Sequence, residues 1–379
     1  MSSPFDVAVV GGGAAGASCA VHLALQGLQV VVLEQGPVPR RKPCGGGMAA
    51  SVQQWFPFDL SPAVDQVIRR VRFTWCLEDP VIAELPGEAP FWIVQRSRLD
   101  AFLLQQATAA GAELRQHWPV TTLQRQGEHW ELQGPAGSLR SRAVVIASGS
   151  GASLGSGLGL GSANPRFATT VAVEVDADFD AASDDPDTAR FEFGLVHHGF
   201  CWSFPRQGGY SIGLGTFIGR EPADAETVLQ RLLPELGLSP EAGVSQTSAL
   251  RIWDGHHRLH GEGIVVVGDA ASLCDPFLAE GIRPALLSGT AAAEALQRWL
   301  GGDGQALAAY SQRMRRDWGE SMAWGKRIAQ VFYRVPRIGY QLGIKRPTAP
   351  QRIAQILSGQ MGYGDIAQRV IKRLLFQQS

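Results

Sequence analysis

The run Gly11-Gly12-Gly13-Ala14-Ala15-Gly16 constrains this chain more than any other segment. It fits the spacing Gly-x-Gly-x-x-Gly and stands between a continuous apolar stretch, 5–10, and an alanine-rich stretch of helical length, 14–25. A turn of this kind, between a strand and a helix, leaves backbone N–H groups and the helix N-terminus free to hold a pyrophosphate. A second apolar stretch, 30–33, ends at Glu34, where a carboxylate can accept hydrogen bonds from ribose hydroxyls. These features predict a parallel βαβ unit and a dinucleotide site formed by Gly11, Gly13, Ala14, Ala15, Gly16, Glu34 and Gln35. The motif by itself suits a flavin or a nicotinamide dinucleotide equally.

A chain of 379 residues has room for two or three structural units. Apolar spacing predicts a helix over 98–110, strands near 112–116, 120–125 and 129–133, and a short buried strand over 143–147. Between 167 and 251 the pattern changes to alternating strands (169–175, 191–195, 200–204, 210–215) with a polar loop at 176–189 and one helix near 224–236. A fully apolar strand returns at 264–267, followed by a helix over about 280–299, and beyond Gly301-Gly302 the pattern is helical, punctuated by Pro336, Pro347 and Pro350. The expected class is α/β. A discontinuous Rossmann-type domain (1–70, 95–165, 252–300) would carry an inserted, mostly antiparallel substrate domain (71–94, 166–251) and a C-terminal helical region (301–379).

Hydrophobic residues make up 45% of the chain and charged residues 18%, which excludes a disordered polymer. Five cysteines without a Cys-x-x-Cys pair argue against a disulfide framework and suit a reducing, cytoplasmic compartment. Cys19, Cys76 and Cys201 read as structural. No signal-like segment is expected before the first strand, and no stretch reaches the roughly 18–20 apolar residues of a spanning helix, so any membrane contact would be peripheral. Residues 313–379 hold 13 Lys and Arg against 3 Asp and Glu. Solvated helix faces are the first reading of that tail, with anionic lipid or a diphosphate gripped by Arg313, Arg315, Arg316, Lys345 and Arg346 as alternatives. Nucleic acid is not expected, because no reading motif accompanies the charge. His197-His198 and His256-His257 are adjacent pairs whose members would point to opposite faces of a strand, so no metal site is expected.

The segment Ile264-Val265-Val266-Val267-Gly268-Asp269-Ala270-Ala271 resembles the second FAD fingerprint of the glutathione-reductase-like and p-hydroxybenzoate-hydroxylase-like flavoproteins. That resemblance implies that the Rossmann-type domain binds FAD. It implies that Asp269 contacts the ribityl and phosphate region, and that Pro276, Gly281 and Ile282 pass close to the flavin ring. Arg98-Leu99-Asp100 resembles the family's Arg-x-x-Leu/Phe segment near the FAD phosphates, and Ala147-x-Gly149 resembles its Ala-x-Gly turn. Asp100 taken alone reads as a helix cap or a surface carboxylate.

Within that superfamily, Lys42-Pro43-Cys44-Gly45-Gly46-Gly47 is similar to the Pro-Cys-Gly-Gly segment of the geranylgeranyl reductases, which hydrogenate isolated double bonds of isoprenoid chains. Gly199-Phe200-Cys201-Trp202-Ser203-Phe204-Pro205 is similar to their Tyr-x-Trp-x-Phe-Pro strand, with 209–215 as its partner. Phe200 replaces the tyrosine, and Leu357-Ser358-Gly359-Gln360 replaces a C-terminal Leu-x-Gly-Asp, so the prenyl chain is not specified. The resemblance implies FAD, a hydrophobic isoprenoid substrate and an electron donor such as NADPH or ferredoxin. Alkene reduction needs hydride for one carbon, a proton for the other and a pocket closed to water. Phe193, Trp202, Phe204 and Trp253 are the candidate substrate contacts, Cys44 and Trp202 the candidate catalytic residues, and Cys44 with Gly45 an approach to the cofactor. Cys274 would lie near the flavin without reacting. Two other functions remain open: a flavin monooxygenase or halogenase, although Cys201 stands where halogenases carry the first tryptophan of Trp-x-Trp-x-Ile-Pro, and a non-catalytic FAD-binding redox sensor.

Overall fold

The computed structural model describes residues 4–376 apart from 152–153, 177–185, 218–223, 240–242 and 244. The chain opens with β1 (Phe5–Val10), α1 (Ala14–Leu25) and β2 (Val30–Leu33), with bounds as the apolar pattern predicts. Five short strands and a helix of four turns follow, β3 (Gly47–Ala49), β4 (Gln66–Ile68), β5 (Arg70–Trp75), β6 (Glu78–Glu84), β7 (Phe91–Ile93) and α2 (Arg96–Ala109), with two 3-10 turns between β3 and β4. Then come β8 (Glu113–Arg115), β9 (Thr122–Gln126), β10 (His129–Gly134) and β11 (Gly137–Ile146). The strand-rich middle comprises β12 (Arg166–Asp176), β13 (Thr188–Phe193), β14 (Gly199–Arg206), β15 (Gly209–Thr216), α3 (Ala225–Leu232) and β16 (Gln246–Ile252). The chain then returns through β17 (His260–Gly261) and β18 (Ile264–Val266) to α4 (Ile282–Leu300), and ends in α5 (Ala306–Met314), α6 (Glu320–Arg334), α7 (Pro336–Gly343), α8 (Ala349–Leu357) and α9 (Tyr363–Phe376).

The first sheet runs β17-β18-β11-β1-β2-β8, with β9 and β10 attached to β11 as a meander. Its central pairs are parallel and its valines are buried on both faces, as expected of strands enclosed by helices. β11 is longer than the 143–147 stretch suggests. Its first half pairs antiparallel with β10 and its second half parallel with β1 and β18, and apolar continuity marks only the second, doubly covered half.

The second sheet runs β16-β12-β15-β14-β13-β5-β6 and is antiparallel except where β13 meets β5. Side chains alternate across β14. Phe200, Trp202 and Phe204 join the main core, while Cys201 joins the separate cluster of Ile212, Leu214 and the α3 residues Val228, Leu229 and Leu232. One face of the sheet is therefore packed by a helix, and the other is turned toward the first sheet. A third, small sheet of β3, β7 and β4 pairs residues that the sequence pattern assigns to different domains. His197 and His198 lie in a turn before β14 and not on a strand, their rings 4.1 Å apart.

Buried hydroxyls and one indole tie the C-terminal helices to the rest. Tyr310 donates to Val266 O (2.8 Å), Trp318 Nε1 to Leu273 O (2.7 Å), Tyr333 to Phe277 O (2.8 Å) and Tyr363 to Asp275 Oδ2 (2.7 Å). Each such bond contributes about 1 kcal/mol net. Losing one would cost more, because the partner would be left buried and unpaired. Three of these four bonds fasten the 273–277 loop that follows the second fingerprint.

Candidate functional site

A cavity of about 580 Å³ opens at the carboxyl ends of the parallel strands, between the first two sheets. This is the position at which open α/β sheets bind ligands. One wall is mostly backbone: the β1–α1 turn with Gly11, Gly13, Ala14 and Ala15, the end of β2 with Glu34 and Gln35, the loop after β11 with Ser148 and Gly149, and Asp269 after β18. The opposite wall is the Cys44–Gly45 loop with Phe191, Phe200, Trp202 and Phe204. Leu278, Glu280, Gly281, Ile282 and Leu357 form one end.

Close contacts explain the glycines of the first wall. Gly11 has φ +106°, and a Cβ on it would stand 2.4 Å from Ala147 O. A Cβ on Gly16 would stand 1.9 Å from Gly11 O, so α1 can begin against β1 only without a side chain there. Glu34, 1% exposed, accepts from Gly12 N–H (2.7 Å) through Oε2 and from Gly36 N–H (3.1 Å) through Oε1. Arg40 Nε lies 3.6 Å from Oε1. The carboxylate is thus held in place at the rim of the turn.

Several expected site residues fall elsewhere. Arg98 is outside the cavity, about half exposed and 3.4 Å from Asp65. Its neighbour Arg96 lines the cavity instead and is clamped by Asp100 through Nε (2.9 Å) and Nη2 (2.7 Å). Burial works against the Arg96 charge, but Asp100, aided by Cys44 and Asp269, holds the guanidinium pKa above its ordinary value. Asp100 is therefore a buried ion-pair partner and neither a cap nor a surface group. The i,i+4 spacing of Arg96 and Asp100 was the available signal. Gly16 and Pro276 lie behind the lining. Phe193 packs against Phe332 (5.3 Å) and Phe200 (5.9 Å), deeper in the core. Trp253 faces His256 (5.3 Å) and Lys326 (5.8 Å), away from the cavity. Phe191, Glu280 and Leu357 also line the cavity, although none was among the candidate site residues: Glu280 sits inside the 276–282 stretch and Leu357 opens the Leu-Ser-Gly-Gln segment. In the tail, Arg313 and Arg316 pair with Asp317 and Lys345 with Asp79, and none of the five basic residues named above reaches the cavity.

Cys44 lines the cavity in the facing wall, its sulfur accepting from Gly46 N–H (3.4 Å) and its carbonyl accepting from Ser211 Oγ (3.2 Å). Cys274 is buried in the 273–277 loop, and burial pushes its thiol pKa well up. Lys42 Nζ lies 3.7 Å from Asp269.

The residues present fit a flavin adenine dinucleotide. The glycine turn opens a helix N-terminus, Glu34 waits at the end of β2, and a Cβ on Gly149 would meet nothing within 4 Å. Ser148 Oγ and Trp202 Nε1 are buried without a hydrogen-bond partner among the described residues, as groups reserved for a ligand would be. Residues 6–74 and 88–299 match the family of FAD dependent oxidoreductases. The chain belongs to that family. This FAD-dependent oxidoreductase is 30% identical to digeranylgeranylglycerophospholipid reductase 2 of Methanothermobacter thermautotrophicus, across 86% of this chain and 88% of the relative. Its fold is similar to that of a geranylgeranyl bacteriochlorophyll reductase-like protein of Thermoplasma acidophilum (TM-score 0.78, 20% identity, 95% and 93% of the two chains covered). The flavin-dependent brominase Bmp2 shares the fold as well (TM-score 0.70, 20% identity, 99% and 100% covered).

Proposed function

We propose that this FAD-dependent oxidoreductase saturates carbon–carbon double bonds of an isoprenoid chain. The observation that carries the reading is the ring wall of Phe191, Phe200, Trp202 and Phe204, set on one sheet face across the cavity from the dinucleotide cradle. The relative named for a digeranylgeranylglycerophospholipid substrate supports the same class. Gly11, Gly13 and the start of α1 hold the diphosphate, Glu34 the ribose, and Asp269 with Gly281 and Ile282 the flavin end. When bound and reduced, FAD supplies hydride. The ring wall orients the polyene and keeps water out, and Trp202 Nε1–H is free to donate to a bound group. Cys44 occupies the loop that meets both cofactor and substrate. NADPH or ferredoxin is the electron donor.

The same reading includes docking at an anionic lipid surface. Among the described residues no helix is long and apolar enough to cross a membrane. Val331, Val335, Ile338 and Leu342 nonetheless form an exposed apolar stripe along α6 and α7, 68%, 43%, 56% and 54% accessible. Exposed Arg334, Arg337, Lys345 and Arg346 accompany it. Apolar insertion flanked by cations is the chemistry of interfacial binding. A prenylated lipid would then enter without leaving its bilayer.

Anaerobic mixing of the dithionite-reduced protein with prenyl diphosphates and prenylated lipids tests the reaction, reading flavin reoxidation and product mass together. A gain of two hydrogens per double bond is expected. Reoxidation only after air is admitted, with oxygen in the product, would overturn the reading in favour of a monooxygenase.

A further inference from the structure

Glu280 stands in the cavity wall beside Gly281, and the function above gives it no part. Its side chain is 7% exposed. Oε2 accepts twice from Arg283, from Nη2 at 2.7 Å and Nε at 3.1 Å. Oε1 is buried and has no hydrogen-bond partner among the described residues. A second acid, Asp275, lies in the same loop, its N–H donating to Glu280 O (2.9 Å). The two carboxyls are provisioned differently. Asp275 Oδ1 accepts from the N–H groups of Phe277 (2.6 Å) and Leu278 (3.0 Å), and Oδ2 accepts from Tyr363 OH (2.7 Å). Every oxygen of Asp275 thus has a donor, whereas Glu280 has donors on one oxygen alone.

An ionised carboxylate with a bare, buried oxygen is unfavourable, and a proton on that oxygen removes the difficulty. The groups facing Glu280 do not alter the outcome. Arg283 comes from the first turn of α4 and Asp275 from the loop that carries Glu280 itself. Tyr363 comes from α9, and both it and Cys274 are kept neutral because burial pushes their pKa values well up. Burial carries the Glu280 carboxyl up to about 7, with Arg283 opposing and Asp275 adding to the rise. A group that exchanges its proton near neutrality is suited to general acid work.

We infer that Glu280 holds an exchangeable proton on Oε1 at the cavity wall and delivers it to the second alkene carbon during reduction. This rests on the reading of the chain as an alkene reductase. One C–H bond of the product takes a hydride, with its electron pair, from the dihydroflavin, which is oxidised as the alkene is reduced. The other forms as the Glu280 O–H bond breaks. The carboxylate left behind stays paired with Arg283 until the product leaves and solvent returns a proton.

The test compares wild type, Glu280→Gln and Glu280→Asp as FAD-loaded proteins. In wild type, infrared difference spectra should show a carboxylic acid C=O band that titrates near pH 7. Glu280→Gln should lack the band while keeping its FAD content and visible spectrum. Anaerobic single-turnover reoxidation by a prenylated alkene should slow as pH rises through the same range in wild type. In Glu280→Gln it should be slower by on the order of 100-fold and independent of pH. Glu280→Asp should regain a pH-dependent limb. Absence of the band from wild type, or the same rate and pH profile in wild type and Glu280→Gln, would overturn the inference. A wild type that reduces no alkene would overturn the reductase reading and the delivery step together, and the band alone would then decide whether Glu280 holds the proton.

Discussion

The two walls of the cavity are built by different means. The dinucleotide wall works through main chain: Gly16 lets α1 begin against the end of β1 and Gly11 lets the turn lie against the loop after β11, contacts that a methyl group would block, and Glu34 is fixed by two backbone N–H groups. The facing wall works through side chains, with four aromatic rings from two strands and the Cys44 loop meeting only because the second sheet folds over the first. A backbone site tolerates little change and serves one ligand part. A side-chain wall can be re-lined for a different substrate while the cofactor site stays as it is, which is consistent with a reductase-like protein and a brominase sharing this fold.

Substitutions on each wall should separate these roles. The largest effect is expected from Gly16→Ala, whose methyl would stand 1.9 Å from Gly11 O. We expect a loss of about 3 kcal/mol of stability and of bound FAD, read as melting temperature and flavin-to-protein ratio. A variant that keeps full FAD would show that the first wall is less rigid than the contact implies. Next, Glu34→Gln should weaken FAD binding by about 10- to 100-fold in a titration of apoprotein, since it removes a charge-assisted acceptor. Undiminished affinity would detach Glu34 from the cofactor. On the facing wall, Trp202→Phe removes the unpaired Nε1–H but keeps the ring. It should leave FAD occupancy unchanged and lower alkene turnover by roughly 10-fold. Loss of FAD instead would mean that the walls are not separable.

The smallest effect concerns pH and stability at the cavity's end. Glu280 has a folded-state pKa of about 7 against an ordinary 4.5, so between these values the folded protein binds more protons than the unfolded chain. Its contribution to stability must fall as pH rises through that window. Asp275 is shifted upward as well, by burial, so the difference between wild type and Glu280→Gln isolates Glu280. The melting temperature of wild type relative to the variant should decline across the window, and a constant difference would remove the shift.

Legibility followed the same division as the walls. The bounds of β1, α1 and β2 agree with the apolar pattern, and both fingerprints flank the cavity, because strand, turn and helix are set by neighbours along the chain. Arg98 and Arg96, two residues apart on a helix, point in different directions, and the i,i+4 spacing of Asp100 from Arg96 was the one local mark that favoured Arg96. Phe193 and Trp253 have the composition of a substrate wall, yet Phe332 and Lys326 from the C-terminal helices cover them.

The sequence by itself determined the dinucleotide turn, the acid after β2, the second fingerprint and the alternation that puts Trp202 and Phe204 on one face. Each is a local pattern of backbone freedom or side-chain period. Tertiary structure alone decided which rings face the cavity and how Glu280 comes to be buried with one oxygen unpartnered. Burial and partnership are properties of contacts between distant segments, and no residue's neighbours in sequence carry that information.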